Sequence, residues 1–192
     1  MAVDGGRTWT DMVKPANPDD SSQYPVLSQQ PALDAATTFA KRLADNGITV
    51  MSGPTAGAAP SGTSALASVS SAPLNEVMAF MLRHSDNTLA QLFGRLTALK
   101  RQAGNSIKTD TQAVADTLAE QGIDTSGLQM ADCSGLTPGS KVSVTTLIEM
   151  QERNLTAGIA TAAAEGLSIP GLVGTARNRI VTGPDNGLFR VK

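Results

Sequence analysis

Met81-Leu82-Arg83-His84-Ser85-Asp86-Asn87-Thr88-Leu89-Ala90 decides how the chain is read, because a polar triplet interrupts an otherwise apolar helical pattern. Upstream, Val77, Phe80 and Met81 fall at i, i+3 and i+4. Downstream, Leu89, Leu92, Phe93, Leu96 and Leu99 carry the apolar face onward. The spacing predicts two helices that meet at Ser85-Asp86-Asn87. Asp86 is short and polar and suits the cap of the second helix, which leaves Ser85 and Asn87 projecting from a corner held by buried helices. Such a corner can position a hydroxyl and an amide for catalysis; Ser-Asp-Asn is equally an ordinary capping sequence.

Working outward, the last residue bears on that choice. Lys192 ends a strand-like run, Gly187-Leu188-Phe189-Arg190-Val191-Lys192, which follows the turn-rich Gly183-Pro184-Asp185-Asn186. S-x-x-K, S-D-N and K-T-G together mark penicillin-recognising serine enzymes, and here S-D-N is complete while Lys192 matches the first letter of K-T-G. Between them, Ala131-Asp132-Cys133-Ser134-Gly135-Leu136-Thr137 resembles the D-G-S-G-L-S segment of the class C, low-molecular-mass penicillin-binding proteins, the D-alanyl-D-alanine carboxypeptidases. Ser71-Ala72-Pro73-Leu74 and Gly171-Leu172-Val173-Gly174-Thr175 resemble the same family, and the similarity runs in the family's order from about Pro31 to Lys192. The fold this implies is α/β: the helix-rich part of a penicillin-binding transpeptidase-like (serine β-lactamase-like) fold, with its central antiparallel sheet incomplete in this chain. Residues 1–30 are expected to form an irregular connection with a possible short strand, and 31–192 a partial catalytic domain.

The remaining chain is read as helices with short links. The stripe Ala36, Phe39, Ala40, Leu43 predicts a helix from about Ala32 to Asn46, stopped by Gly47. Ile48–Met51 and Leu66–Val69 read as short strands. Thr109-Asp110-Thr111-Gln112 reads as a capping box opening a helix through Val114 and Leu118 to Gly122. A further helix from about Val144 to Leu155 is expected to bury Val144, Leu147, Ile148 and Leu155 before Gly158. Thr161–Ala164 reads as a helical turn, and 169–179 as mostly irregular.

Composition excludes several classes. The 192 residues carry a net charge of −2 and 3% aromatics, with no basic block, which argues against a nucleic-acid surface. No apolar run approaches a membrane span. One cysteine, Cys133, and one histidine leave no internal disulfide and little basis for a metal site. Met1–Arg7 lacks the features of a secretory signal.

The resemblance implies roles. Ser85 would relay protons between the nucleophilic serine, the lysines and the leaving amine; Asn87 would grip the substrate peptide bond; Lys192 would face the terminal carboxylate of the substrate. Ser134, Gly135 and Leu136 would border the substrate, or form a plain turn. Asp86 and Asp132 would be structural, and His84 an exposed helix-end histidine. Cys133 replaces a usual glycine, and Pro138 stands where a basic residue can follow, which bears on side-chain specificity. The nucleophile is absent: the residues three before each lysine are Asp11, Thr38, Thr97, Asn105, Pro138 and Phe189. The chain therefore reads as an internal part of a carboxypeptidase whose S-x-x-K lies elsewhere, inactive by itself. Its parent would act outside the cytoplasm on peptidoglycan stem peptides, be trapped by β-lactams, and need no cofactor. A non-catalytic module binding cell-wall peptide or a partner, or a β-lactamase or esterase on the same fold, is the alternative.

Overall fold

The computed structural model describes residues 26, 28–55, 57–58, 60–156, 161–179 and 187–192. Most of the expected irregular stretch 1–30, Gly158 and the turn at 183–186 lie outside the described residues. The chain divides into two compact units, Met1–Ser68 and Val69–Lys192.

In the first unit, helix α1 (Pro31–Asp45) starts on a proline, whose missing N–H costs nothing in a first turn. It ends at Gly47, where φ is +79° and the N–H donates to Ala44 O at 2.9 Å. Ala35 is buried and Ala36, Ala40 and Leu43 are half-buried, but Phe39 is exposed, contrary to the expected stripe. The inward face is thus centred on small residues. The expected strands at Ile48–Met51 and Leu66–Val69 are not formed, and Ile48, Met51, Leu66 and Val69 are exposed. β-branched residues favour extended backbone, but a strand exists only when a neighbour takes up its N–H and C=O groups.

The second unit carries α2 (Leu74–His84), α3 (Asn87–Lys100), α4 (Ile107–Glu120), α5 (Val144–Leu155) and the short α6 (Thr161–Gly166). α2 packs on α6 and against α3, α3 on α4, and α5 on α6. Small residues set these distances. A Cβ at Gly166 would lie 2.8 Å from Ala79 Cα, so α2 and α6 meet backbone to backbone. On α3, Gly94 and Ala98 are buried at i and i+4, as is Ala113 on α4. Arg101 and Glu120 close the far end of that helix pair with two bonds of 2.6 Å.

Two sequence expectations are corrected. α4 opens at Ser106, not at Thr109: Ser106 Oγ accepts the Thr109 N–H at 3.2 Å, and Thr109 Oγ1 accepts the Ser106 N–H at 3.0 Å. Gly104, at φ +52°, turns the chain just before, so the helix starts one turn sooner and Asp110 falls inside it, fully buried. α5 has the expected bounds, yet Val144, Leu147, Ile148 and Leu155 are all exposed. Its buried residue is Thr146, whose hydroxyl donates to Asp124 O at 2.6 Å. Among the described residues there is no sheet, only antiparallel bridges at Gln129 and Lys141, Ser168 and Val191, and Ile169 and Val173. No helix among them is long and apolar enough to cross a membrane.

Candidate functional site

The α2–α3 corner is built as follows. Ser85 ends α2 in the left-handed conformation, φ 53° and ψ 46°, and the Asp86 N–H returns to Met81 O at 3.0 Å. Glycine normally fills such a position, because a Cβ there costs roughly 1–2 kcal/mol. Asp86, not Ser85, caps α3: its Oδ1 accepts the Leu89 N–H at 2.9 Å. The Ser85 hydroxyl is exposed and has no hydrogen-bond partner among the described residues. His84 is exposed, stacks on Phe80 at 4.0 Å, and its Nδ1 donates to Phe80 O at 3.0 Å, which leaves it occupied with its own helix.

The last carbonyls of α2 have no partner within the helix and carry the negative end of its dipole. Lys192 and Thr175 fill them. Lys192 Nζ donates to Leu82 O at 3.1 Å, and the Thr175 N–H to Arg83 O at 3.0 Å. Lys192 is brought there by the reciprocal bonds of Val191 and Ser168, at 2.9 and 3.0 Å. Gly174 is required beside it: at φ +83°, a Cβ would lie 2.2 Å from Ser168 Oγ and 3.1 Å from Arg83 O. Partial burial holds the Lys192 pKa below the ordinary lysine range, which favours the free amine. Ser85 and Lys192 are thus both placed at the end of α2.

The turn at Asp132–Thr137 is shaped by one carboxylate. Asp132 Oδ1 accepts the Ser134 N–H at 2.9 Å, the Ser134 hydroxyl at 3.0 Å and the Gly135 N–H at 2.7 Å, while Oδ2 accepts the Thr137 N–H at 3.2 Å and the Thr137 hydroxyl. The Thr137 hydroxyl, then that of Ser134 and the two backbone donors, hold the Asp132 pKa below its usual value against the opposing effect of desolvation. Ser134 Oγ in turn accepts the Leu136 N–H at 3.2 Å, and the Leu136 side chain is exposed. Cys133 points the other way, toward α3. Burial, then the Asp110 and Asp132 charges, push its pKa up to about 11, so it stays a neutral thiol near pH 7.

Three residues to which the sequence reading gave no part in the site join these elements. Gln91, one turn beyond Asn87 on α3, accepts the Cys133 N–H on Oε1 at 3.0 Å and donates from Nε2 to Asp110 Oδ2 at 3.0 Å. Arg95, another turn along, pairs with the same Asp110 oxygen at 2.9 Å. Asp110 Oδ1 and Arg95 Nη1 are buried without a partner among the described residues. The available signal was the i, i+4, i+8 row Asn87, Gln91, Arg95, a polar stripe on an otherwise apolar helix. Asn87 and Gln91 line a cavity of about 500 Å³ with Arg95 and Asp110; Ser134 and Gly135 line a second, of about 540 Å³, with Cys133. The Gln91–Cys133 bond joins their walls.

A helical unit that sets an S-D-N corner beside a lysine and a D-x-S-G-L turn has the make-up of a penicillin-binding transpeptidase-like domain, and similarity to solved structures shows that fold. Penicillin binding protein 4 (dacB) from Haemophilus influenzae, solved in complex with a β-lactam, matches with a TM-score of 0.73 at 25% identity over 84% of this chain and 38% of that one. A second structure of the same Haemophilus protein matches with a TM-score of 0.56 at 27% identity, over 60% of this chain and 26% of that one. The chain belongs to the D-Ala-D-Ala carboxypeptidase 3 (S13) family, whose pattern residues 12–192 match. It is 36% identical over 120 residues to carboxypeptidase Rv3627c of Mycobacterium tuberculosis, covering 62% of this chain and 25% of that protein. It is 33% identical over 155 residues to carboxypeptidase DacB of Mycolicibacterium smegmatis, covering 78% and 30%. The chain thus spans between a quarter and a third of the length of these curated relatives.

Proposed function

We propose that this chain supplies the S-D-N side of the active site of a serine-type D-Ala-D-Ala carboxypeptidase acting on peptidoglycan stem peptides. The observation that carries the reading is Ser85, whose backbone holds a costly left-handed conformation while its hydroxyl is left without structural work. Strain of this kind persists where the surrounding structure over-determines it and tends to gather at functional sites. Lys192 at the same helix end, with its pKa lowered, supplies an amine suited to proton exchange.

In this reaction the nucleophilic serine of an S-x-x-K, which this sequence lacks, adds to the carbonyl carbon of the penultimate D-Ala. The bond to the nitrogen of the terminal D-Ala breaks, and the serine proton passes through Ser85 to that nitrogen, so that D-Ala leaves as a neutral amine. Water then cleaves the acyl ester. Asn87 offers a carbonyl and an amide to the substrate peptide bond, Lys192 faces the terminal carboxylate, and Ser134, Gly135 and Leu136 border the substrate. Endopeptidase action on a cross-link is the same step with a different leaving amine. β-Lactams present a strained amide to the same serine, no metal or organic cofactor takes part, and the substrate places the protein outside the cytoplasm.

The division of labour is tested on the 192-residue chain itself. Incubated with a reactive penicillin, it should show no covalent adduct by intact-protein mass spectrometry, and it should release no D-Ala from a stem peptide. A stoichiometric adduct on Ser85 would overturn the assignment of Ser85 as relay and make it the nucleophile.

A further inference from the structure

We infer that Gln91 is a positioning residue: oriented by Asp110 and Arg95, it clamps the Asp132–Thr137 turn to α3 and so fixes the spacing between Asn87 and Ser134. The clamp as a structural device stands on geometry alone; its bearing on catalysis rests on the function proposed above.

The orientation of the Gln91 amide follows from chemistry. Asp110 is fully buried, and its Oδ2 faces the Arg95 guanidinium at 2.9 Å, so that oxygen is an acceptor. An amide oxygen turned toward it would meet a second oxygen, whereas the Nε2 donor gains a bond of 3.0 Å. With Nε2 committed to Asp110, Oε1 must face the Cys133 N–H, and it accepts at 3.0 Å. A flipped amide would lose both bonds and leave a half-buried backbone donor unpaired, which is unfavourable. Asp110 is placed for this by the first turn of α4, where the helix dipole favours a carboxylate.

Gly94 completes the seat. A Cβ there would lie 2.2 Å from Cys133 Sγ and 2.8 Å from Cys133 Cβ, so the turn can rest on α3 only because position 94 is bare. Shape and place are therefore set separately. Asp132 determines the form of the turn through its own donors, and Gln91 determines where on α3 that form sits. Because Gln91 lies one turn from Asn87, the helix that carries Asn87 also carries the residue that holds the turn.

The test reads the clamp without catalysis. In the isotope-labelled chain, a scalar coupling across the hydrogen bond should connect the Cys133 amide nitrogen to the Gln91 side-chain carbonyl carbon. In Gln91→Leu the Cys133 amide should exchange with solvent at least about 10-fold faster, while the Ser134 and Gly135 amides, held by Asp132, keep their rates. Absence of the coupling, or unchanged Cys133 exchange in a folded Gln91→Leu, overturns the clamp; the coupling needs no variant and decides even if Gln91→Leu does not fold. In a protein uniting this chain with an S-x-x-K, Gln91→Leu should raise KM for a stem peptide about 10-fold and leave kcat within about twofold. An unchanged KM with a freed Cys133 amide overturns the positioning role. Absence of turnover in the unsubstituted protein would count against the proposed function instead, and the clamp would be judged on the coupling and exchange.

Discussion

Replacing Ser85 by glycine should stabilise the fold while removing the hydroxyl proposed to do the chemistry. At φ 53° and ψ 46° the serine Cβ crowds the following carbonyl, at a cost of roughly 1–2 kcal/mol that glycine does not bear. Against this, glycine gives the unfolded chain more freedom, worth about 0.4–1 kcal/mol. The hydroxyl contributes nothing to the balance, since it has no partner among the described residues. The net gain centres on about 0.8 kcal/mol, which for a chain of this size raises Tm by roughly 2–3 °C. Ser85→Ala keeps the Cβ and should fall within about 0.5 kcal/mol of the starting protein. Asp86→Ala, which removes the cap seen at Leu89, should cost about 1 kcal/mol. Urea and thermal unfolding of the three variants, followed by circular dichroism, provide the comparison. If Ser85→Gly and Ser85→Ala both lose about as much stability as Asp86→Ala, the Ser85 side chain has a structural job and the reasoning is refuted.

Gly94→Ala should destabilise the second unit by about 1–3 kcal/mol, because the new methyl meets Cys133 Sγ at 2.2 Å. Cys133→Gly should restore much of that loss in a double-mutant cycle, whereas simple additivity would show that the two residues do not touch. For Asp132, the lowered pKa means that the folded state favours the carboxylate. Its contribution is present above the unfolded value of about 4 and is lost as pH falls through the folded value, so Asp132→Asn should flatten the fall in urea midpoint below about pH 4. An identical acid dependence in the variant would contradict the donor set seen here.

Periodicity and punctuation made the helices legible: α3 starts where Asp86 can cap it, and α5 runs between the expected bounds. What periodicity conveys is a face that can be buried, not what buries it. Val144, Leu147 and Ile148 therefore misled as core residues, and the apolar runs at Ile48 and Leu66 misled as strands. The α4 start was ambiguous because Ser106 to Thr109 and Thr109 to Gln112 have the same spacing, and only the turn at Gly104 selects the first. At the site, local motifs brought out Ser85, Asn87, Lys192 and the Asp132 turn. The contacts among Gln91, Asp110 and Cys133 join residues far apart in sequence, and no spacing rule within one sequence reaches them.

The most direct measurement is the acylation rate of Ser85→Ala in a protein that unites this chain with an S-x-x-K nucleophile, taken alongside the denaturant midpoint of the same preparation. A proton relay predicts acylation slowed by about 10² to 10⁴ with the midpoint almost unmoved. A variant that acylates at the normal rate, whether or not it melts early, would contradict the assignment of Ser85 to the chemistry.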